Sequence, residues 1–118
     1  MTAAAKSVCY FGFYLYATGL LLIVAPNFLL STLQIPSTNE VWIRVVGVLA
    51  FNIGYYYHRA GAGNIHAFFK HTIPTRVFVF IAFFIFVLLN YVSPLLIVFG
   101  AADLAGATWT WMALRKEK

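Results

Sequence analysis

Charge is what this chain has least of. Of 118 residues, 9% are charged and only three are acidic, while 63% are hydrophobic. A soluble domain of this length cannot cover its surface with so few charges, so a membrane protein is expected. The three acids, Glu40, Asp103 and Glu117, are too scattered to supply a carboxylate pair for acid–base work. The single cysteine, Cys9, permits neither an internal disulfide nor a C-x-x-C redox pair, and reads as a small apolar residue at a helix end. No serine–histidine–acid set, phosphate-cradling glycine loop or internal repeat is present. No small-residue cleavage site follows the first apolar stretch, so no cleaved signal peptide is expected. The three histidines, His58, His66 and His71, match no zinc spacing. Only His58, just past the end of the second apolar stretch, can reach the bundle interior, too few for bis-histidine haem, so neither a metal nor a cofactor is expected.

What is present is apolar length. A helix needs about 20 apolar residues to cross the hydrocarbon core. Four stretches qualify, over about 8–25, 41–57, 75–91 and 95–114. Pro26-Asn27 interrupts the first, and Phe28 to Leu33 either continue it past a kink or lie on the interface. Residues 59–74 read as a loop in which Ile65, Phe68 and Phe69 form a short interfacial helix among His66, Lys70 and His71. Pro74 suits the start of the third span. The chain is read as one all-α domain, an integral membrane four-helix transmembrane bundle.

The net charge of +5 is distributed by side. Lys6 precedes the first span; Arg59, Lys70 and Arg76 fall between the second and third; Arg115, Lys116 and Lys118 follow the fourth. The other two connections carry only Glu40. Cationic segments resist translocation, so both termini and the middle loop are expected in the cytoplasm, N-in/C-in. Trp42 and Tyr91 at one set of ends, and Tyr55, Tyr56, Tyr57, Trp109 and Trp111 at the other, agree as interfacial belts. Split among three segments, these cations suit anionic lipid head groups; nucleic acid is not an expected partner.

Small residues suggest how the helices pack. Gly12 and Gly19 are seven apart in the first span, as are Gly47 and Gly54 in the second. Glycines on one face let backbones approach, which is how membrane helices associate. The third span instead spreads Phe78, Phe80, Phe83, Phe84 and Phe86 around itself, toward lipid or a partner.

Charges inside the spans are the candidate site. Asp103 lies about 12 Å and Arg44 about 5 Å into their spans, at a rise of about 1.5 Å per residue. A buried ion needs a partner, so an Arg44–Asp103 pair is expected. At 100° per residue Arg44, Gly47, Gly54, Tyr55 and His58 share a face, with Asn52 at its edge. If that face meets the Asp103 face, then Asp103, Arg44, Asn52, Tyr55 and His58 line a ligand-binding pocket. The same groups can equally form a satisfied network that fixes helix register.

The stretch Trp42-Ile43-Arg44-Val45-Val46-Gly47-Val48-Leu49-Ala50 with Gly54-Tyr55-Tyr56-Tyr57, and Phe99-Gly100 with Asp103, Gly106-Ala107 and Trp109-Thr110, resemble patterns in small bacterial four-span proteins. The layout is similar to the DoxX-like group. That resemblance implies the fold and a bacterial inner-membrane location, and carries over no catalytic residue. Three functions follow as expectations. The first is an accessory or assembly subunit of a membrane complex, or a homo-oligomer. The second is a binder or enzyme for a small hydrophobic molecule, such as a quinone, isoprenoid or sterol-like lipid, seated at Asp103. The third is a small proton- or cation-coupled transporter.

Overall fold

Apolar periodicity becomes helix throughout. A computed structural model describes residues 2–117 as five helices: α1 (Ala3–Val24), α2 (Pro26–Thr32), α3 (Trp42–Ala62), α4 (His66–Leu88) and α5 (Leu95–Lys116). The Thr2 hydroxyl caps α1 by accepting the Ala5 amide at 3.1 Å. Pro26 ends α1, because proline disfavours the helical region for Ala25, and then starts α2 at its first position. The connection after α2 is closed by Asn27, which donates to the Thr38 carbonyl at 3.1 Å and accepts the Thr38 amide at 2.9 Å.

α2, α3 and α4 each stop at a residue in the left-handed region: Gln34 (φ 57°), Asn64 (φ 56°) and Asn90 (φ 61°). The amide beyond each one reaches back to a carbonyl of the last helical turn, as Ile65 does to Ala60 at 3.0 Å. Gln34 is the least suited of the three, since asparagine tolerates this conformation better. Gln34→Gly is expected to raise stability by about 1 kcal/mol. An unchanged or lowered thermal midpoint would refute the assignment of that cap.

The middle connection differs from expectation. The expected loop over 59–74 with its own short helix is replaced by a turn at residues 63–65. α3 runs on to Ala62, and His66 to Thr75 are the first turns of α4, with Pro74 inside the helix. Phe69 and Thr72 are buried on the bundle side, so packing overrides the proline. The neighbouring Thr75 hydroxyl donates to the Thr72 carbonyl at 3.0 Å. Arg76 is therefore a helical residue well inside α4 and not a loop cation.

α1, α4 and α5 are long and apolar enough to cross a membrane. α3 has comparable length, 21 residues, but carries Arg44, Asn52, His58 and Arg59. α1 is central, packed on one side against α3 and on the other against α5, and α4 packs on α5. The row α3–α1–α5–α4 curls so that α4 comes back beside α3 while barely touching it.

The α1–α3 seam is built from glycine. A Cβ on Gly12 would lie 2.7 Å from the Gly54 carbonyl, and one on Gly19 2.7 Å from the Gly47 carbonyl. Gly61 extends the series by another seven residues, its Cβ position 2.7 Å from the Ala5 carbonyl. The expected close approach is thus present and one turn-pair longer than the spans suggested.

Both ends of the chain meet the α3–α4 turn. The Thr2 hydroxyl lies 3.3 Å from Asn64 Oδ1, the Ala4 amide donates to Glu117 at 3.2 Å, and His66 stands 3.7 Å from Glu117. Lys6, Arg59, Lys70, Arg115 and Lys116 cluster at this end; Lys118 lies outside the described residues. The opposite end carries Glu40 and Arg44.

Candidate functional site

α4 presents Phe69, Thr72 and Arg76 at spacings of three and four to the bundle interior, where all three are buried. Arg76 is 2% exposed. Its Nε donates to the Thr72 carbonyl at 3.1 Å, and its Nη2 donates to the Thr72 hydroxyl at 2.7 Å and the Thr110 hydroxyl at 2.8 Å. Thr110 is 2.7 Å from the Ser7 hydroxyl, which donates to the Ala4 carbonyl at 2.7 Å. With Ser7 committed to Ala4, Thr110 must be the donor to Ser7. The chain of donors therefore runs one way, from Arg76 through Thr110 and Ser7, and binds α4 to α5 and α1.

The flat faces of the guanidinium are covered by aromatic rings, with Cζ 4.9 Å from the Phe11 centroid and 5.6 Å from Tyr57. Nη1 is buried without a hydrogen-bond partner, against Gly106; a Cβ there would come within 2.9 Å of it. Gly106 thus makes room for the arginine.

Beside Arg76 lies a cavity of about 540 Å³, within the range of about 300–1,000 Å³ typical of small-molecule sites. Phe11, Leu15, Ala50, Ile53, Tyr56, Tyr57, Phe68 and Val79 form its largely apolar wall. Thr72, Thr75, His71, Arg76 and Asp103 supply the polar groups. All four long helices contribute, and the gap between α3 and α4 is its lateral side. Asp103 is buried, and its carboxylate takes no hydrogen bond from the described residues. Arg76 is the cation whose charge it feels, although the two form no direct ion pair. The site is therefore close to neutral overall, with one open acceptor at the cavity wall.

Of the residues expected to line a pocket, Asp103 does so and the others do not. Arg44 is exposed and donates instead to the Ile23 carbonyl in the last turn of α1, at the negative end of that helix. Asn52 and Tyr55 are exposed. His58 Nδ1 is 3.0 Å from the Tyr16 hydroxyl, on the seam between α1 and α3. The expected Arg44–Asp103 pair is corrected for one physical reason: α1 stands between α3 and α5, so the two faces never meet. Arg44→Gln and Asp103→Asn should consequently act additively on thermal stability, within about 0.5 kcal/mol, as uncoupled sites do. A larger coupling energy would restore the pair.

Reading Pro74 as a helix start hides Arg76 and Thr72 as site residues; Thr110 shares a helical face with Asp103 in the sequence, but its partners on α1 and α4 depend on the packing. The signal was present: run through the proline, helical spacing puts Phe69, Thr72, Arg76 and Phe83 on one side of α4. Among the described residues no three of histidine, cysteine, aspartate and glutamate gather around a common point. Comparison with protein-family models, curated proteins and solved structures finds no match for the chain.

Proposed function

We propose that this is a four-span bacterial inner-membrane protein of DoxX-like layout that holds a small, mostly apolar molecule between α3 and α4, its polar head at Asp103. The observation that carries this reading is the largely apolar cavity wall, on which the carboxylate of the buried residue Asp103 takes no hydrogen bond from the described residues and lies near buried Arg76. Ionisable groups at membrane depth have a high insertion cost and mark functional sites. Because Arg76 already balances Asp103, the complementary head is a neutral hydrogen-bond donor. A hydroxyl suits it: a quinol, an isoprenoid alcohol or a sterol-like alcohol. A quinone, with acceptors alone, would leave the ionised carboxylate unsatisfied. The gap between α3 and α4 gives such a molecule a path from the bilayer.

The topology follows the same logic. Taking α3 as the fourth span lets the five described cations at one end remain cytoplasmic, which is N-in/C-in. Exposed Trp42 and Tyr91 at the opposite end suit the outer interface.

Native mass spectrometry of the protein released from mild detergent tests the reading. The wild type should carry one discrete non-phospholipid mass, and Asp103→Asn should retain it about tenfold less, the effect of losing a charge-assisted hydrogen bond. A bare wild-type protein, or an adduct indifferent to the substitution, would overturn it. The accessory-subunit reading rests on a different observation, the exposed Phe78, Phe84 and Phe86 of α4. It predicts that a partner protein co-purifies and is lost when these rings become leucine.

A further inference from the structure

A separate pocket lies away from the cavity, at the cationic end of the groove between α4 and α5. A pocket of about 370 Å³ there is walled by His66, Lys70 and Arg115 above Ile73, Leu114 and Trp111, with Glu117 at its edge. Glu117 is already engaged, accepting the Ala4 amide at 3.2 Å and standing 3.7 Å from His66. Among the described residues, Lys70 and Arg115 have no carboxylate partner. The Arg115 guanidinium lies 4.8 Å over the Trp111 ring. From this pocket a narrower hollow of about 150 Å³ continues along the same two helices, past Ile73 and Trp111 to Val77, Ala107 and Thr108. The cations stand at the helix ends and the apolar hollow runs toward the middle of the helices.

That order, two unpaired cations over an apolar trough, is the polarity of a membrane lipid. We propose that this groove holds one anionic glycerophospholipid, its phosphate between Lys70 and Arg115 and one acyl chain lying in the trough beside Trp111. Charge selects the occupant: two free cations favour an anionic lipid over a zwitterionic one, whose own ammonium they repel. The trough distinguishes a built site from general attraction to a charged surface, because a free phosphate has nothing to place in it. The site does not depend on the cavity at Asp103, and neither stands or falls with the other.

The test is native mass spectrometry of the delipidated full chain offered phosphatidylglycerol or phosphatidylcholine with the same acyl chains. Phosphatidylglycerol should be retained at one per chain and phosphatidylcholine about tenfold less, in keeping with two head-group contacts. The double variant Lys70→Gln/Arg115→Gln should lose that preference. Lys6→Gln/Arg59→Gln, which removes the same charge from the same end, should keep it. Thr108→Phe fills the trough with every charge intact and should weaken retention comparably. All three variants alter exposed positions, and a thermal midpoint near the wild-type value verifies that each folds. Equal loss in both charge variants, full retention in Thr108→Phe, equal retention of the two lipids, or displacement by inorganic phosphate would each overturn the proposal.

Discussion

Gly54→Leu should abolish the folded monomer. A Cβ at Gly54 would stand 2.8 Å from the Gly12 carbonyl and 3.0 Å from Leu15 Cβ, so α1 and α3 must separate before any larger side chain fits. Overpacking a core costs typically about 1–3 kcal/mol where side chains can adjust, and here the obstacle is backbone. The seam is continuous, with Gly12, Gly19, Gly47 and Gly61 in the same close register, so a displacement at one position is felt along the whole interface. If α3 crosses the membrane beside α1, as proposed, packing itself is the main attraction, and lost contacts are not recovered by burying apolar surface elsewhere. Fluorescence-detected size-exclusion chromatography should show aggregate in place of the monodisperse peak. Ala17→Leu, at an exposed position on α1, the other helix of the seam, should leave the peak intact. A monodisperse Gly54→Leu protein with a normal midpoint would show that this seam is not what holds α1 to α3.

Arg76→Met should be nearly as damaging for a different reason. It keeps an unbranched apolar stem but removes three donated hydrogen bonds and the charge that balances Asp103. Losing those bonds and leaving the Asp103 charge uncompensated should cost about 3–5 kcal/mol, the scale of removing one partner of a buried pair, although the two groups are not in direct contact. Removing both charges should therefore hurt less: Arg76→Met/Asp103→Leu is expected to be more stable than Arg76→Met alone by about 1–3 kcal/mol. Arg76→Lys should not rescue, since an ammonium cannot reach the Thr72 carbonyl, the Thr72 hydroxyl and Thr110 together in the fork that guanidinium provides. Thermal midpoints in one detergent order these three variants, the Asp103→Leu single variant and the wild type. A double variant as unstable as the sum of the singles would remove the electrostatic coupling from the account.

These two sites differ in how far they could be read from the chain. The glycine seam was legible because a spacing of seven needs only one helix to be seen. Gly61 is not legible in the same way, because residues 59–74 read as a loop and the bundle extends α3 through it to Ala62. Asp103 was legible as the one acid within an apolar stretch. Its electrostatic partner was not, because that depends on which helices are neighbours. α3 and α5 run in the same direction with suitable depths, and no residue of either records that α1 lies between them. Arg76 was hidden by Pro74. Proline disrupts a helix locally, and only the burial of Phe69 and Thr72 against the bundle explains why α4 continues through it. Arg44, conspicuous in sequence, is satisfied by the Ile23 carbonyl, a backbone partner with no sequence signature. The cavity itself arises from the looseness between α3 and α4, a property of how the row of helices curls and not of any motif.

The central claim is that the cavity between α3 and α4 holds a specific molecule and not bulk lipid. Photo-crosslinking in native membranes tests it most directly, with p-benzoylphenylalanine placed at Ile53 in the cavity wall and, separately, at Val48, which is exposed on the outer face of α3. The account predicts one discrete non-phospholipid adduct from position 53, absent from position 48 and lost when Asp103→Asn is added. The same mixture of phospholipid adducts at both positions, unchanged by Asp103→Asn, would contradict it.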